Sequence, residues 1–159
     1  MDPDRFRAAL GGFLTGVTVV CTRDREGRPA GLTVSSLASV SLDPPLVLFC
    51  LDKGASVYDA FADATSFAAS ILRADQAAVA DRFAFTVDPF EGVTTIAGET
   101  GAPVLAERLG VIECDVERVV DGGDHRIFLG RVRAVDWDAD AAPLAYFRGR
   151  YGMLAPSQD

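Results

Sequence analysis

Four hydroxyl side chains, Thr33, Ser35, Ser39 and Ser41, fall on alternate positions of the stretch Gly31–Pro45, GLTVSSLASVSLDPP, with Leu37 between them. Read as one strand at a period of two, the stretch puts these hydroxyls on one face and Leu32, Val34, Ala38, Val40 and Leu42 on the other. Such a row can hydrogen-bond a flat, uncharged heteroaromatic ring through side chains and backbone while leaving its redox state free to change. It also fits an ordinary solvent-facing strand rich in Ser and Thr. His125 is the only histidine; it follows a Gly-Gly-Asp turn, where an imidazole is commonly solvated. Cys21, Cys50 and Cys114 lie far apart and form no CxxC pair. They read as small buried hydrophobes, with neither a disulfide framework nor a zinc site expected. No GxGxxG opens a helix after a strand, and neither a P-loop nor a GxSxG elbow is present. Rossmann, P-loop and hydrolase sites therefore lack support.

The elements that must position these groups are legible as patterns. Asp2-Pro3 before Phe6, Ala9, Leu10 and Phe13 predicts a capped, amphipathic first helix, loosened at Gly11-Gly12. Thr15–Thr22 is β-branched and apolar and reads as a strand, and the charged turn Asp24–Pro29 carries it into Gly31–Val40. Leu46–Leu51, after Pro44-Pro45, is apolar on both faces and reads as a central strand covered on both sides. Ser56 can cap a short helix through Ala62, with Val57, Phe61 and Tyr58 inward. Ser66–Leu72 follows as a strand and Ala74–Phe83 as an alanine-rich helix. Residues 84–103 carry three glycines and two prolines and read as a long loop of the kind that often serves as a lid. Val111–Val120 alternates, with one slip in register, and puts Ile112, Cys114, Val116 and Val119 inward. The turn Asp121–Asp124 then leads into the strand His125–Trp137. Six or seven strands against three short helices suit a β-barrel with peripheral helices better than a doubly wound α/β fold.

At 159 residues the chain suits one domain, and 49% hydrophobic against 24% charged residues excludes wholesale disorder. Fifteen Lys and Arg against 23 Asp and Glu leave a net charge of −8. That balance opposes broad binding to nucleic acid or an anionic membrane. The charged N-terminus lacks the apolar core of a signal peptide, and no apolar run is long enough to span a bilayer, so a cytoplasmic location is expected.

GLTVSSLASVSLDPPLVLFCL resembles the signature of the short-chain flavin reductase family, the reductase components of two-component flavin-dependent monooxygenases. FRAALGGFLTGVTVVCT resembles that family's opening helix and strand, GDHRIFLGRV its penultimate hairpin and PLAYFRGRYG its closing motif. These four blocks keep their order from Phe6 to Gly152. The resemblance implies a mainly β fold, a split β-barrel of the FMN-binding, Greek-key type with a few peripheral helices. It implies a single domain over residues 1–159, with an ordered core at about residues 5–153, acting as a cytoplasmic homodimer. The implied activity is flavin reduction: hydride passes from NADH or NADPH to FMN or FAD, and the reduced flavin supplies a partner oxygenase. The alternatives are a non-catalytic flavin-storage barrel, or one with permanently bound flavin that reduces another acceptor.

Residue by residue, the resemblance assigns Thr33, Val34, Ser35 and Ser36, with Ser39, to the isoalloxazine and ribityl chain. Leu51, Asp52, Lys53 and Ser56 fall where the family holds the flavin phosphate, with Lys53 as counter-charge and the helix after Ser56 supplying N–H donors. Val57 and Gly54 stand where many relatives carry hydroxyls, which implies a looser phosphate grip. Arg82 and Phe83 would meet the flavin from a second side; Arg82 also suits a helix C-terminal charge partner. Phe85 and Phe90 could cover the ring or plug the core. His125 matches the histidine on the nicotinamide side, with an orienting role because hydride transfer needs no protein nucleophile. Tyr151, Arg148 and Arg150 would close the pyridine-nucleotide side, the arginines serving equally well in dimer salt bridges.

Overall fold

The computed structural model describes residues 1–154. Asp2 caps helix α1 (Pro3–Leu10), its carboxylate accepting from the Asp4 N–H at 3.1 Å. No α1 residue is buried, and Phe6 and Leu10 stay exposed. The expected strand Thr15–Thr22 is split at Val17 into β1 (Thr15–Gly16) and β2 (Thr18–Arg23). Val17 is buried, and its carbonyl accepts from Leu72 N–H at 3.0 Å, so the chain changes sheets there. A turn fastened by the Asp24 carboxylate, which accepts from the Glu26 and Arg28 N–H groups, leads to β3 (Pro29–Val34). Then follow β4 (Ala38–Leu42), β5 (Pro45–Asp52), helix α2 (Tyr58–Ala62), β6 (Ser66–Ile71) and helix α3 (Ala77–Phe85). The hairpin of β7 (Thr95–Ala97) and β8 (Pro103–Leu105) precedes the long pair β9 (Gly110–Gly122) and β10 (His125–Trp137). The hairpin of β11 (Leu144–Phe147) and β12 (Arg150–Met153) closes the described chain.

Seven strands form one antiparallel sheet in the order β3-β2-β6-β9-β10-β5-β4, and β1-β11-β12 form a second. Only Ser35, Ser36 and Leu37 connect β3 to β4, the two opposite edges of the large sheet. Flat, those edges would stand roughly 29 Å apart at ~4.8 Å per strand. The link spans at most about 15 Å. The sheet must therefore curl until its edges approach. One core cluster accordingly draws Val20, Val34, Phe49, Phe67, Cys114 and Phe128 from six strands on its inner side. Phe49 stacks on Phe128 at 5.0 Å and meets Phe67 and Phe61 edge-on at 5.0 and 5.8 Å. A second cluster, with Val19, Cys21, Ala80, Phe83 and Leu144, covers the outer side of β2. The fold is mainly β with three helices among the described residues, and the large sheet's ladder stays open between β3 and β4.

Several expectations are corrected. The hydroxyl row does not lie on one strand: Thr33 belongs to β3, Ser39 and Ser41 to β4, and the chain leaves the ladder between them. Leu46–Leu51 is not covered on both faces. Val47, Phe49 and Leu51 are buried while Leu46, Leu48 and Cys50 are half-buried, because the neighbour on one side is the edge strand β4. The long strands buried on both sides are β2 and β6. Ser56 does not cap α2, which begins at Tyr58 with Val57 at the cap position and no side-chain cap. α3 begins at Ala77 because the Gln76 side chain accepts from Arg73 N–H at 2.8 Å and donates to the Glu107 carbonyl at 2.8 Å, holding the preceding turn. Residues 84–103 are not wholly loop, since they hold β7 and the start of β8, which is buried throughout. Strand breaks at Val17 and at Ser35–Leu37, with the two small hairpins, raise the count to twelve among the described residues.

The slip expected in β9 is real and sits at Glu117: Arg118 pairs with Leu129 and Val116 with Gly130, leaving Glu117 unpaired in the ladder. Its carboxylate accepts two bonds from Arg131, at 2.8 and 2.9 Å. Cys21 and Cys114 are buried and Cys50 half-buried, all three free. Burial pushes the Cys21 and Cys114 thiols up to about 12.

Gly130 makes room for the inner core, since a Cβ there would lie 2.4 Å from the Phe67 ring and 2.7 Å from Cys114 Cβ. Gly130→Ala is expected to destabilise the fold by about 1–3 kcal/mol through overpacking. Denaturant titration followed by circular dichroism measures this, with Gly152→Ala, where added bulk meets nothing within 4 Å, as the reference.

Candidate functional site

Two adjoining cavities, of about 190 and 280 Å³, meet beside the open edge β3 and share Thr33, Ala84 and Phe85 in their walls. The first continues over Val34, Ser35, Tyr146 and Tyr151, the second over Ser56, Val57 and Phe83. Together they form a groove between β3 and α3. Gly31 lets the helix come this close, as a Cβ there would meet Phe83 at 3.0 Å and Cys21 Sγ at 2.9 Å. Phe83 is buried against Phe90, ring edge to ring face at 5.0 Å, so both plug the core. Phe85, two residues on, is 84% exposed at the groove rim.

The hydroxyls divide into two kinds. Thr33 Oγ1 donates to the Ala80 carbonyl at 2.6 Å and ties β3 to α3. Ser36 Oγ accepts from the Cys50 N–H at 2.9 Å and pins the link between the sheet edges onto β5. Ser35 and Ser56 are exposed and face the groove. Ser39 is exposed on β4 opposite Val47 and lines neither cavity. Val34 and Leu51 are core residues, although Val34 also touches the groove.

Beyond Leu51, the Asp52 carboxylate accepts from Gly54 N–H at 2.7 Å. Lys53 turns towards the β9–β10 turn, its ammonium 2.5 Å from the Asp121 carboxylate and 2.6 Å from the Gly123 carbonyl. Lys53 and, more weakly, Arg126 hold the Asp121 carboxyl below its ordinary range. Arg82 donates to the Glu91 carbonyl at 2.6 Å and so braces the loop after α3. His125, half-exposed and paired across the ladder with Asp52, has Nδ1 2.7 Å from the Asp124 carboxylate, which it holds below the usual carboxylate range. His125 lies outside the groove walls.

A third cavity, of about 690 Å³, lies on the β11–β12 hairpin between Leu14, Phe147, Arg148, Arg150, Tyr151 and Met153. Arg148 takes a left-handed φ of 49° and, with Gly149, makes the hairpin turn; its guanidinium lies 5.0 Å over the Phe147 ring. Tyr151 belongs to this cavity and to the groove, and its phenol lies beside the Asp81 carboxylate of α3. The structure thus brings together Thr33, Ser35, Ser56, Phe83, Arg148 and Tyr151. It leaves Ser39, Asp52, Lys53, Arg82 and His125 outside these walls within one chain, with Lys53 and His125 both at the β9–β10 turn.

Two further residues stand out in three dimensions. Arg126 lies 5.9 Å over the Tyr58 ring, and its Nε is buried without a partner among the described residues. An arginine on an alternating strand reads as surface, and no local signal brings Tyr58 to it. Tyr146 lines the groove 5.5 Å from Tyr151, its cross-strand partner. The signal for it was the hairpin spacing within PLAYFRGRYG.

Residues 10–155 match the family described as flavin reductase like domain. The reductase subunit HsaB of a flavin-dependent monooxygenase from Rhodococcus jostii is 38% identical, over 99% of this chain and 81% of its own length. An FMN reductase (NADH), SmoA, from Agrobacterium fabrum is 45% identical, over 94% of this chain and 85% of its own. The solved NADH:FAD oxidoreductase of Streptomyces globisporus, in complex with NAD and FAD fragments, superposes with a TM-score of 0.93. It is 39% identical and covered over 99% of this chain and 96% of that one. Against some longer relatives the chain spans about half their length, 48% and 53%.

Burial first, then the Asp81 carboxylate, pushes the Tyr151 phenol up to about 12. The protonated phenol is therefore favoured in the folded state. Its contribution to stability is fully present below the ordinary tyrosine pKa of about 10 and is lost as pH rises through about 12. Tyrosinate absorbance is expected to show this late titration, and Asp81→Asn to lower its midpoint only in part, because burial is the larger cause.

Proposed function

The chain belongs to the flavin reductase-like domain family, and we propose that it reduces a diffusible flavin with NADH and releases it to a partner oxygenase. The observation that carries this reading is the groove between β3 and α3, with free hydroxyls at Ser35 and Ser56 and aromatic rims at Phe85, Tyr146 and Tyr151. A flat ring with polar edges fits such walls: the aromatic rims shield its faces and the hydroxyls meet its heteroatoms. When both partners are bound, the chemistry is hydride transfer from nicotinamide C4 to flavin N5. The chain's own residues bind, orient and exclude water.

In this reading Ser35 and the backbone beside it meet the ring, Thr33 and Ser36 hold that backbone in place, and Ser56 meets the phosphate. Lys53 is the counter-charge for the phosphate. Arg126, with its unpartnered Nε, stands ready beside it. Arg148 and Tyr151 meet the nicotinamide nucleotide at the other end, with Arg150 at the same cavity. Supporting NADH as the donor, two of the relatives carry it in their names, and the same relatives carry FMN in one case and FAD in the other.

We read the curled seven-stranded sheet as a split β-barrel and the working molecule as a homodimer. The unburied apolar residues Phe6, Leu10 and Phe13 and the separation of His125 from the groove support the second copy. It would cover the former and bring nicotinamide-side groups together. Dependence on nicotinamide nucleotide suits a cytoplasmic enzyme. No helix among the described residues is long and apolar enough to cross a membrane.

NADH oxidation followed by nicotinamide absorbance is expected to need added FMN or FAD and to saturate with it. Turnover without added flavin, or none with it, contradicts a diffusible-flavin reductase. Lys53→Ala is expected to weaken FMN roughly fivefold, the scale of ~1 kcal/mol for an exposed charge pair, and to leave riboflavin nearly unchanged. His125→Ala is expected to raise KM for NADH more than KM for flavin, and the reverse ranking moves His125 to the flavin side.

A further inference from the structure

We infer that Asp121 sets how tightly the phosphate of a flavin is held, by competing with it for the Lys53 ammonium; the inference rests on the reading of Lys53 as the phosphate contact. In the folded chain this cation is already engaged: Asp121 takes one of its hydrogens at 2.5 Å and the Gly123 carbonyl another at 2.6 Å. An ammonium has three hydrogens, so an arriving phosphate either displaces Asp121 or binds with a carboxylate beside it. Both lower its affinity, the first by the lost pair and the second by like-charge repulsion.

The pair is not needed to hold the turn. The Lys53 backbone N–H already donates to the Asp124 carbonyl at 2.9 Å, and the β5–β10 ladder runs from His125 opposite Asp52 to Arg131 opposite Leu46. The other carboxylates nearby are committed elsewhere, Asp52 to the Gly54 N–H and Asp124 to His125. Asp121 is the one aimed at Lys53. Side chains 36% and 71% exposed can part readily, and an exposed pair of this kind shifts an equilibrium by roughly two- to fivefold. A competitor of that strength suits an enzyme whose product must leave. Removing it would trade release for grip.

The test titrates FMN and riboflavin, by quenching of flavin fluorescence, into the full chain and its variants. Asp121→Asn is expected to tighten FMN two- to fivefold with riboflavin unchanged, and Asp121→Glu to restore the original ratio. Asp115→Asn removes the same charge from β9 beside Arg133 and is expected to leave the FMN-to-riboflavin ratio where it was. Unchanged or weaker FMN binding in Asp121→Asn overturns the competition, as does equal tightening of both flavins. Lys53→Ala separates the two levels of the argument. If it is FMN-selective while Asp121→Asn is not, the competition alone fails; if it weakens both flavins equally, the phosphate reading fails and the competition with it.

Discussion

Three residues, Ser35, Ser36 and Leu37, join the opposite edges of a seven-stranded sheet, and that short tether shapes everything around it. The sheet curls because so short a link cannot reach between the edges of a flat one. The hydrogen bond from Cys50 N–H to Ser36 Oγ fastens the link to β5. The curl lets Phe49, Phe61, Phe67 and Phe128 gather from β5, α2, β6 and β10 into one aromatic core. Gly130 leaves the space in which Phe67 packs.

The groove arises at the same place. Where β3 ends as an open edge, α3 lies across it, tied by Thr33 to Ala80 and packed closely on Gly31. The closing hairpin reaches in from the second sheet and sets Tyr146 and Tyr151 in the groove wall. Three separately built pieces thus supply a polar floor, an aromatic rim and an entrance. A rigid scaffold under an open groove is the arrangement a diffusible planar substrate needs, since orientation is supplied by the walls and exit is not blocked. The acidic chain keeps its positive groups sparse: Arg148 and Arg150 line the cavity that Tyr151 shares with the groove, while Lys53 meets Asp121 and Arg126 lies over Tyr58.

Much of this was legible in the sequence, and the gaps have physical causes. Strand identity followed from β-branched and apolar runs, α1 from its Asp2 cap, and the β9–β10 hairpin from the Gly-Gly turn. Family membership followed from four ordered blocks. Periodicity could not reveal that the hydroxyl row leaves the ladder after Val34, because a period of two is preserved across a chain that crosses from one sheet edge to the other. It could not distinguish Ser36, which serves the backbone, from Ser35, which faces the groove. Leu46–Leu51 looked doubly covered because hydrophobicity reports what a strand tolerates, whereas coverage depends on its neighbours. Arg126 and Asp121 were hidden for the same reason. Their partners, Tyr58 and Lys53, lie more than sixty residues away in sequence.

In the proposed reading a planar flavin ring lies over Ser35 in the groove beside β3. Riboflavin, which has no phosphate, tests this most directly when titrated into the wild-type chain and Ser35→Phe, with thermal melts of both. The wild type is expected to quench riboflavin fluorescence, and Ser35→Phe, an exposed position filled with bulk, to lose binding while melting at an unchanged temperature. Riboflavin bound equally well by a folded Ser35→Phe would contradict it.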